Sequence, residues 1–304
     1  MKDFKDQIAF ITGGASGAGF GQAQVFGRAG AKIVIADVRD AAIKDALAKL
    51  RGEGITAHGI VLDIMERAAY ARAADEVEKV FGAPPTLLFN TAGVNSFGPV
   101  ENTTYDDYDW IVGVNLGGVI NGMVTFVPRM IAAKKPGHIV TVSSLGGLMG
   151  SALAAPYSAA KAAVVNLMES YRMSLAKFDI GVSVVCPANI KSNIAEASKL
   201  RPAQYGKSGY VENADSIASL HSIHIHGMEP EQLADFVKDG IEKNQLYIIP
   251  YPESKEMLQK HFAEIVDSVL PMEADPEGAR KRVAALQQWA ADRARVFNKE
   301  QGKG

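Results

Sequence analysis

Thr12-Gly13-Gly14-Ala15-Ser16-Gly17-Ala18-Gly19 follows the apolar run Ile8-Ala9-Phe10-Ile11 and opens into Phe20-Gly21-Gln22-Ala23-Gln24-Val25-Phe26. A phosphate-binding loop requires this order of strand, glycine turn and helix. Glycines reach backbone conformations closed to other residues, and a helix N-terminus offers free N–H groups and partial positive charge to a pyrophosphate. Gly13, Gly17 and Gly19 are spaced wider than the usual dinucleotide fingerprint. Glycine-rich turns also close ordinary strand–helix units, so the loop alone leaves nucleotide binding and plain chain reversal both open.

Outward from the loop, the same rhythm repeats. Residues 31–37 form an apolar run ending in Asp37, and 56–63 a second ending in Asp63; 86–90, 138–144 and 182–186 are further strand-like runs. Helical patterns near 40–51, 67–81, 105–133 and 156–178 separate them. Strands alternating with helices of this length predict an α/β fold, a parallel sheet covered on both faces. The rhythm breaks over 191–227, which is polar and irregular, then resumes as helix over 231–243 and strand over 245–250. The tail from 253 reads as helix in two pieces, interrupted near Pro271 and Pro276, with Leu286, Trp289 and Phe297 on a partly amphipathic stretch. No Gly/Ser/Pro linker or internal repeat divides the chain, so one domain over 1–304 is expected.

Composition narrows the partners. With 304 residues, 47% hydrophobic and 22% charged, the chain has enough apolar material for a sizeable core. The net charge of −2 gives no reason to expect nucleic acid or an anionic membrane. The single cysteine, Cys186, fits a reducing compartment and excludes a structural Cys-based metal site. The apolar run after the N-terminal lysines is too short for a signal peptide, so a cytoplasmic location is expected. Residues 112–128 are the nearest thing to a membrane span, but Asn115, Asn121 and the following Arg129 make a buried helix the better reading. His221, His224 and His226 have no cysteine or clear carboxylate partner nearby, and no metal is expected.

The sharpest local feature is Tyr157-Ser158-Ala159-Ala160-Lys161. An i, i+4 pair shares one helix face, and a nearby ammonium stabilises a phenolate, making tyrosine usable as a base near neutrality. Such a pair is otherwise an ordinary surface contact. Ser144, 13 residues earlier at a strand end, lies where open α/β sheets put their ligand crevice. Asp37 can accept hydrogen bonds from an adenosine ribose and repel a 2′-phosphate, or simply cap a helix. Arg39 and Lys32 keep an NADP-dependent reductase open as an alternative, and a cofactor-binding regulator without catalysis is a further one.

The loop at 12–19, Asn90-Thr91-Ala92-Gly93, Asn115, Ser144, Tyr157 with Lys161, and Pro187-Ala188-Asn189-Ile190-Lys191-Ser192, in this order, resemble the short-chain dehydrogenase/reductase family over roughly residues 5–195. The resemblance implies a Rossmann-type, doubly wound sheet of seven parallel strands, with a substrate lid over 191–229 and a helical extension over 253–304. It also implies an NAD cofactor and a catalytic set of Asn115, Ser144, Tyr157 and Lys161. Tyr157 would be the base, Ser144 the partner of the substrate oxygen, Lys161 the ribose ligand and Asn115 the holder of a relay water. Around the cofactor it implies Gly13, Ser16, Gly17, Gly19, Asp37, Asp63, Ile64, Asn90, Ala92, Gly93, Tyr157, Lys161, Pro187, Ile190 and Ser192. Thr91, Ala188 and Lys191 depart from the family pattern; none removes a catalytic group.

Phe20, Asn90 to Pro99, Pro187 to Ile194, His221-Ser222-Ile223-His224 and Tyr247 to Pro252, with the long tail, look like the Cα-dehydrogenases of bacterial lignin β-aryl ether breakdown. That likeness implies NAD-dependent oxidation of a benzylic alcohol to a ketone, a small aryl alcohol as substrate, and a homodimer or homotetramer. Tyr205, Tyr210, Met228, Phe97 and Met149 are of the type to cover an aryl group, or to fill core.

Overall fold

The computed structural model describes residues 1–210 and 214–300; the side chains of 214, 216, 217, 219, 220, 223 and 294–300 fall outside that description. It divides into two compact units, Met1–Pro252 and Glu253–Gly304.

In the first unit β1 (Ile8–Thr12), β2 (Lys32–Asp37), β3 (Ala57–Val61), β4 (Leu87–Asn90), β5 (Gly137–Val142), β6 (Ile180–Val185) and β7 (Tyr247–Ile248) form one sheet of order β3-β2-β1-β4-β5-β6-β7. Every pairing is parallel. Parallel strands need crossovers, and the intervening helices supply them: α1 (Gly17–Arg28), α2 (Asp40–Gly52), α3 (Arg67–Phe81), α4 (Tyr105–Val112), α5 (Gly118–Ala133), α6 (Ala155–Leu175), α7 (Ala214–Ile225) and α8 (Pro230–Glu242). The doubly wound sheet is as the sequence predicts. Among the described residues, the irregular stretch also holds α7 and 3-10 turns at Ile194–Leu200 and Ala203–Tyr205, none of which the sequence reading gives; β7 is shorter than the run over 245–250.

Alternation along β1 decides the two layers. Ile8 and Phe10 join one core with Tyr70, Val77, Met123, Phe126, Val164 and Met168, from α3, α5 and α6. Ala9 and Ile11 join the other with Phe26, Leu50, Leu233 and Val237, from α1, α2 and α8. The Phe10 and Phe126 rings lie 4.6 Å apart and Phe26 and Phe89 4.8 Å apart, one pair in each layer. Strands buried on both faces explain why β1, β4 and β5 are apolar without alternation in the sequence.

The helical region over 105–133 is three segments. Thr104 caps α4 reciprocally with Asp107, and a π-helical turn, Gly113–Gly117, joins α4 to α5. This stretch is long and apolar enough to span a membrane by length and composition, with a hydropathy of 1.6, but 56% of that window is buried in the protein. It is a core element here.

The second unit contains α9 (Lys255–Asp267) and α10 (Pro276–Glu300), separated around Pro271 and Met272–Ala274. The helical extension and its break near Pro271 and Pro276 match the sequence reading. The Phe297 side chain lies outside the described residues.

Candidate functional site

β1 and β4 are neighbours although far apart in sequence, so the strand order reverses between them, and ligand crevices form outside the strand ends at such a point. A cavity of about 550 Å³ lies there, lined by residues that follow β1 through β6 and by part of the 191–229 segment.

Gly13 has φ +65° and hydrogen-bonds through its N–H to Ala36 O at 2.7 Å; a Cβ there would stand 2.9 Å from Ala92 Cα. A Cβ on Gly19 would stand 2.3 Å from Gly13 O. Backbone contact this close leaves both positions to glycine. Ser16 is the N-cap of α1, yet its side chain bonds no helix N–H, and the first turn carries no acid. The opening N–H groups of α1 are left for an anion. Thr12 Oγ accepts from Thr91 N at 3.0 Å and Ala92 N at 3.2 Å, tying the ends of β1 and β4 together. Thr91, where the family pattern has asparagine, donates through Oγ1 to Gln22 Oε1 at 2.6 Å, so the substitution keeps a bond across to α1.

Asp37 is buried and held in a fork by Arg39, with Nε to Oδ1 and a second nitrogen to Oδ2 both at 2.9 Å. The same guanidinium reaches Ser16 Oγ at 2.8 Å. Arg39 therefore lies over the carboxylate, a contact that sequence spacing left open. Asp63 is exposed and accepts from Met65 N at 2.9 Å; Ile64 beside it is buried and also faces the cavity.

At the other end, Ser144 ends the β5 run and accepts on Oγ from Gly146 N at 3.1 Å. Tyr157 and Ser158 rise from the first turn of α6, and a Cβ on Gly146 would lie 3.5 Å from Ser144 Oγ and 3.8 Å from Tyr157 Cε1. Burial pushes the Tyr157 phenol above its ordinary value and the Ser144 hydroxyl pulls it back. Lys161 does share the Tyr157 face of α6, with Nζ 5.5 Å from the ring centroid, but its bond is to Val142 O at 2.8 Å. Burial lowers its pKa to about 8.

Asn115 sits in the π-helical turn, fully buried, donating to Val94 O at 2.8 Å and accepting from Val94 N at 3.1 Å. The wider turn is what places an amide there among packed helices. Asn115, Lys161 and Asn90 stand behind the cavity wall and not on it. Asn90 bonds across the sheet to Thr141 Oγ1 at 3.1 Å. Gly13, Ser16, Gly17, Gly19, Asp37, Asp63, Ile64, Ala92, Gly93, Ser144, Tyr157, Pro187, Ile190 and Ser192 all line the cavity. Lys191 does not; it pairs with Glu229.

Of the residues read as covers for an aryl group, Phe97 lines the cavity. Tyr210 is core, its ring against Gly98 and its hydroxyl 2.6 Å from Thr103 Oγ1. Sequence reasoning missed Trp110, Val114, Leu145, Asn95, Leu200 and Pro202, which complete that end. It also missed what holds Leu200 and Pro202 there. Arg201 between them pairs with Asp107 of α4 at 2.7 Å, their side chains 7% and 0% exposed, and its guanidinium lies 5.3 Å over the Trp110 ring. Burial alone would raise the Asp107 pKa; hydrogen bonds from Thr104, Ser208 and Gly209 hold it low. His224 touches the cavity and bonds Ile190 O at 3.1 Å. Among the described residues no three His, Cys, Asp or Glu side chains group as a metal would need.

The family model described as short chain dehydrogenase matches residues 7–202. A protein of Sphingobium sp. (strain NBRC 103272 / SYK-6) named C alpha-dehydrogenase is 75% identical over 304 residues, covering 100% of both chains. The crystal structure of LigD in its apo form, from Sphingobium sp. strain SYK-6, superposes with a TM-score of 0.76 at 66% identity, over 89% of this chain and 100% of that one. A short chain dehydrogenase/reductase from Burkholderia phymatum, solved in complex with NAD, gives 0.83 at 29% identity, over 89% of this chain and 98% of that one. With a glycine loop, a free helix end and a serine and tyrosine on one crevice, the chain belongs to the short chain dehydrogenase family and is an oxidoreductase of the nicotinamide-binding kind.

Proposed function

We propose that the protein oxidises a secondary benzylic alcohol, the Cα-hydroxyl of a lignin-type aryl glycerol β-aryl ether, to the ketone, with NAD as cofactor. The observation that carries this reading is the convergence of Ser144 and Tyr157 on the same crevice as the glycine loop and Asp37. The name of the 75% identical Sphingobium protein supports the position of the oxidised carbon.

The residues fit the cofactor. The bare first turn of α1 suits a pyrophosphate, and buried Asp37 suits a ribose diol once Arg39 turns aside. Bound NAD supplies the hydride acceptor. Ser144 accepts from Gly146 N, which leaves its hydroxyl hydrogen to donate to the substrate oxygen. Tyr157 Oη takes the alcohol proton as the carbonyl forms. The Ser144 hydroxyl opposes the burial that raises the Tyr157 pKa, and the Lys161 ammonium, anchored by Val142 O and 5.5 Å from the ring centroid, is a positive charge of the sign that favours a phenolate. Asn115 fixes Val94, which belongs to the cluster that Tyr157 packs against.

Residues 191–229 act as the substrate lid over this end, and the active form is a cytoplasmic homodimer or homotetramer; light scattering that returned a monomer would contradict the assembly. Incubation of purified protein with NAD and a β-aryl ether dimer is expected to give NADH absorbance and the ketone; no product over a broad pH range would overturn the substrate assignment. Arg39 favours a second reading, an NADP-dependent ketone reductase in which the guanidinium meets a 2′-phosphate. Tighter binding of NADPH than NADH would select it.

A further inference from the structure

Among the described residues, the buried side-chain polar atoms without a partner are Gln22 Nε2, Asn90 Oδ1, Asn95 Oδ1, Ser96 Oγ, His138 Nδ1 and Ser158 Oγ. Only Asn95 and Ser158 belong to residues that line the cavity. Ser158 lies beside the reacting serine, a Cβ on Gly146 standing 3.6 Å from Ser158 Oγ and 3.5 Å from Ser144 Oγ, and its hydroxyl can rotate to meet a partner that arrives. Asn95 comes from the loop after β4 and also lines the cavity. It follows Val94, whose N–H and C=O are both held by Asn115, and its loop is fixed three residues further on by Gly98 N to Leu153 O at 2.9 Å. The backbone carrying Asn95 is thus pinned on both sides, while the amide, 4% exposed, keeps an acceptor that no residue satisfies.

An unpaired buried amide oxygen is unfavourable, and a hydroxyl can rotate to find a partner where an amide plane cannot. Phe97, Val114 and Leu145, which line the same cavity, carry no polar side-chain atom, and Asn95 Oδ1 takes no bond from the Trp110 indole N–H either. We infer that Asn95 is a specificity-determining residue that binds a second hydroxyl of the substrate, on the carbon chain beside the carbinol held by Ser144 and Tyr157. An amide carries an acceptor and donors side by side, as a hydroxyl does, and the pair can satisfy each other in both directions. The inference rests on the proposed alcohol dehydrogenation and adds the residue that reads the second hydroxyl which an aryl glycerol β-aryl ether carries and a simple aryl carbinol lacks.

The test compares two substrates that differ in one oxygen, an aryl glycerol β-aryl ether and its analogue with methyl in place of hydroxymethyl, on the full-length protein with NAD. The wild type is expected to favour the diol by about 10-fold in kcat/KM. In Asn95→Leu that ratio is expected to fall to within about twofold of one, and in Asn95→Ser, which keeps a hydrogen-bonding group, to stay between the two. NADH binding and the melting temperature of each variant report whether the loop is intact. An equal loss on both substrates, or a wild-type ratio near one, overturns the role of Asn95 and leaves the dehydrogenase reading standing. No turnover of either substrate by the wild type removes that reading, and this inference with it.

Discussion

The two sides of the cavity are built by different means. The cofactor side is made of backbone: Gly13 against Ala92, Gly19 against Gly13, and the strand ends of β1 and β4 tied through Thr12. The substrate side is made of side chains far apart in sequence: Trp110 from α4, Asn95 from the loop after β4, and Leu200 and Pro202 held in place by Asp107 and Arg201. Backbone packing tolerates almost no replacement, so it marks the sequence with glycines at fixed places. Side-chain pairing tolerates many solutions and leaves no periodic trace.

The comparison makes the two sides separable by mutation. The largest effect is expected from Tyr157→Phe, which removes the hydroxyl proposed as the base. Turnover should fall by up to about 10⁴-fold, near 5 kcal/mol of barrier, with NADH binding retained; unchanged turnover would take Tyr157 out of the mechanism. Asp107→Ala strands a buried guanidinium, and about 3–5 kcal/mol of stability is expected to go with it in denaturant unfolding. If the two sides are independent, NADH affinity survives in folded protein while KM for the alcohol rises. An equal loss of both would break the comparison.

Acid probes the sheet itself. His138 on β5 is buried, which lowers its pKa from 6.5 to about 3, and its Nε2 lies 2.8 Å from Ser183 Oγ. It stays neutral when folded but takes a proton when unfolded below about 6.5. Its contribution is therefore complete above that pH and lost as pH falls toward 3, at up to about 1.4 kcal/mol per pH unit. Measured between pH 6 and 4, His138→Gln should show a shallower fall in stability than the wild type; equal slopes would acquit the histidine. The smallest effect is expected at Arg39, a third exposed over Asp37. Arg39→Ala frees the carboxylate, and the ratio of NADPH to NADH dissociation constants should rise by a few-fold, worth about 1 kcal/mol. A fall in that ratio would mean that the guanidinium serves the NAD complex itself.

How much could be read in advance follows the same division. The sheet, its order of elements, the glycine loop and the cavity positions of Asp37, Ser144 and Tyr157 were legible, because each depends on local spacing or on buried apolar runs. The Arg39 fork over Asp37 was half legible: both residues stood out, but two positions apart in sequence they gave no sign of facing each other. Trp110, Asp107 and Arg201 were not legible. They meet only after a helix from the middle of the chain packs against a segment about 90 residues later, and nothing in the spacing of single residues encodes that meeting. Helix α7 was hidden for a related reason, lying inside a polar stretch without a clean apolar face.

The π-helical turn at Gly113–Gly117 acts as a phase shifter. Each residue of an α-helix advances the face by about 100°, and a surplus residue in one turn offsets all that follows. Upstream, Trp110 and Ile111 face inward; downstream, Val119, Met123 and Phe126 do, and they pack a different layer. Deleting one residue there would restore an unbroken helix, yet it would rotate either the cavity wall or the α5 core face out of alignment. A length change in this stretch is thus expected to be far more damaging than any single replacement within it, whatever residue is lost.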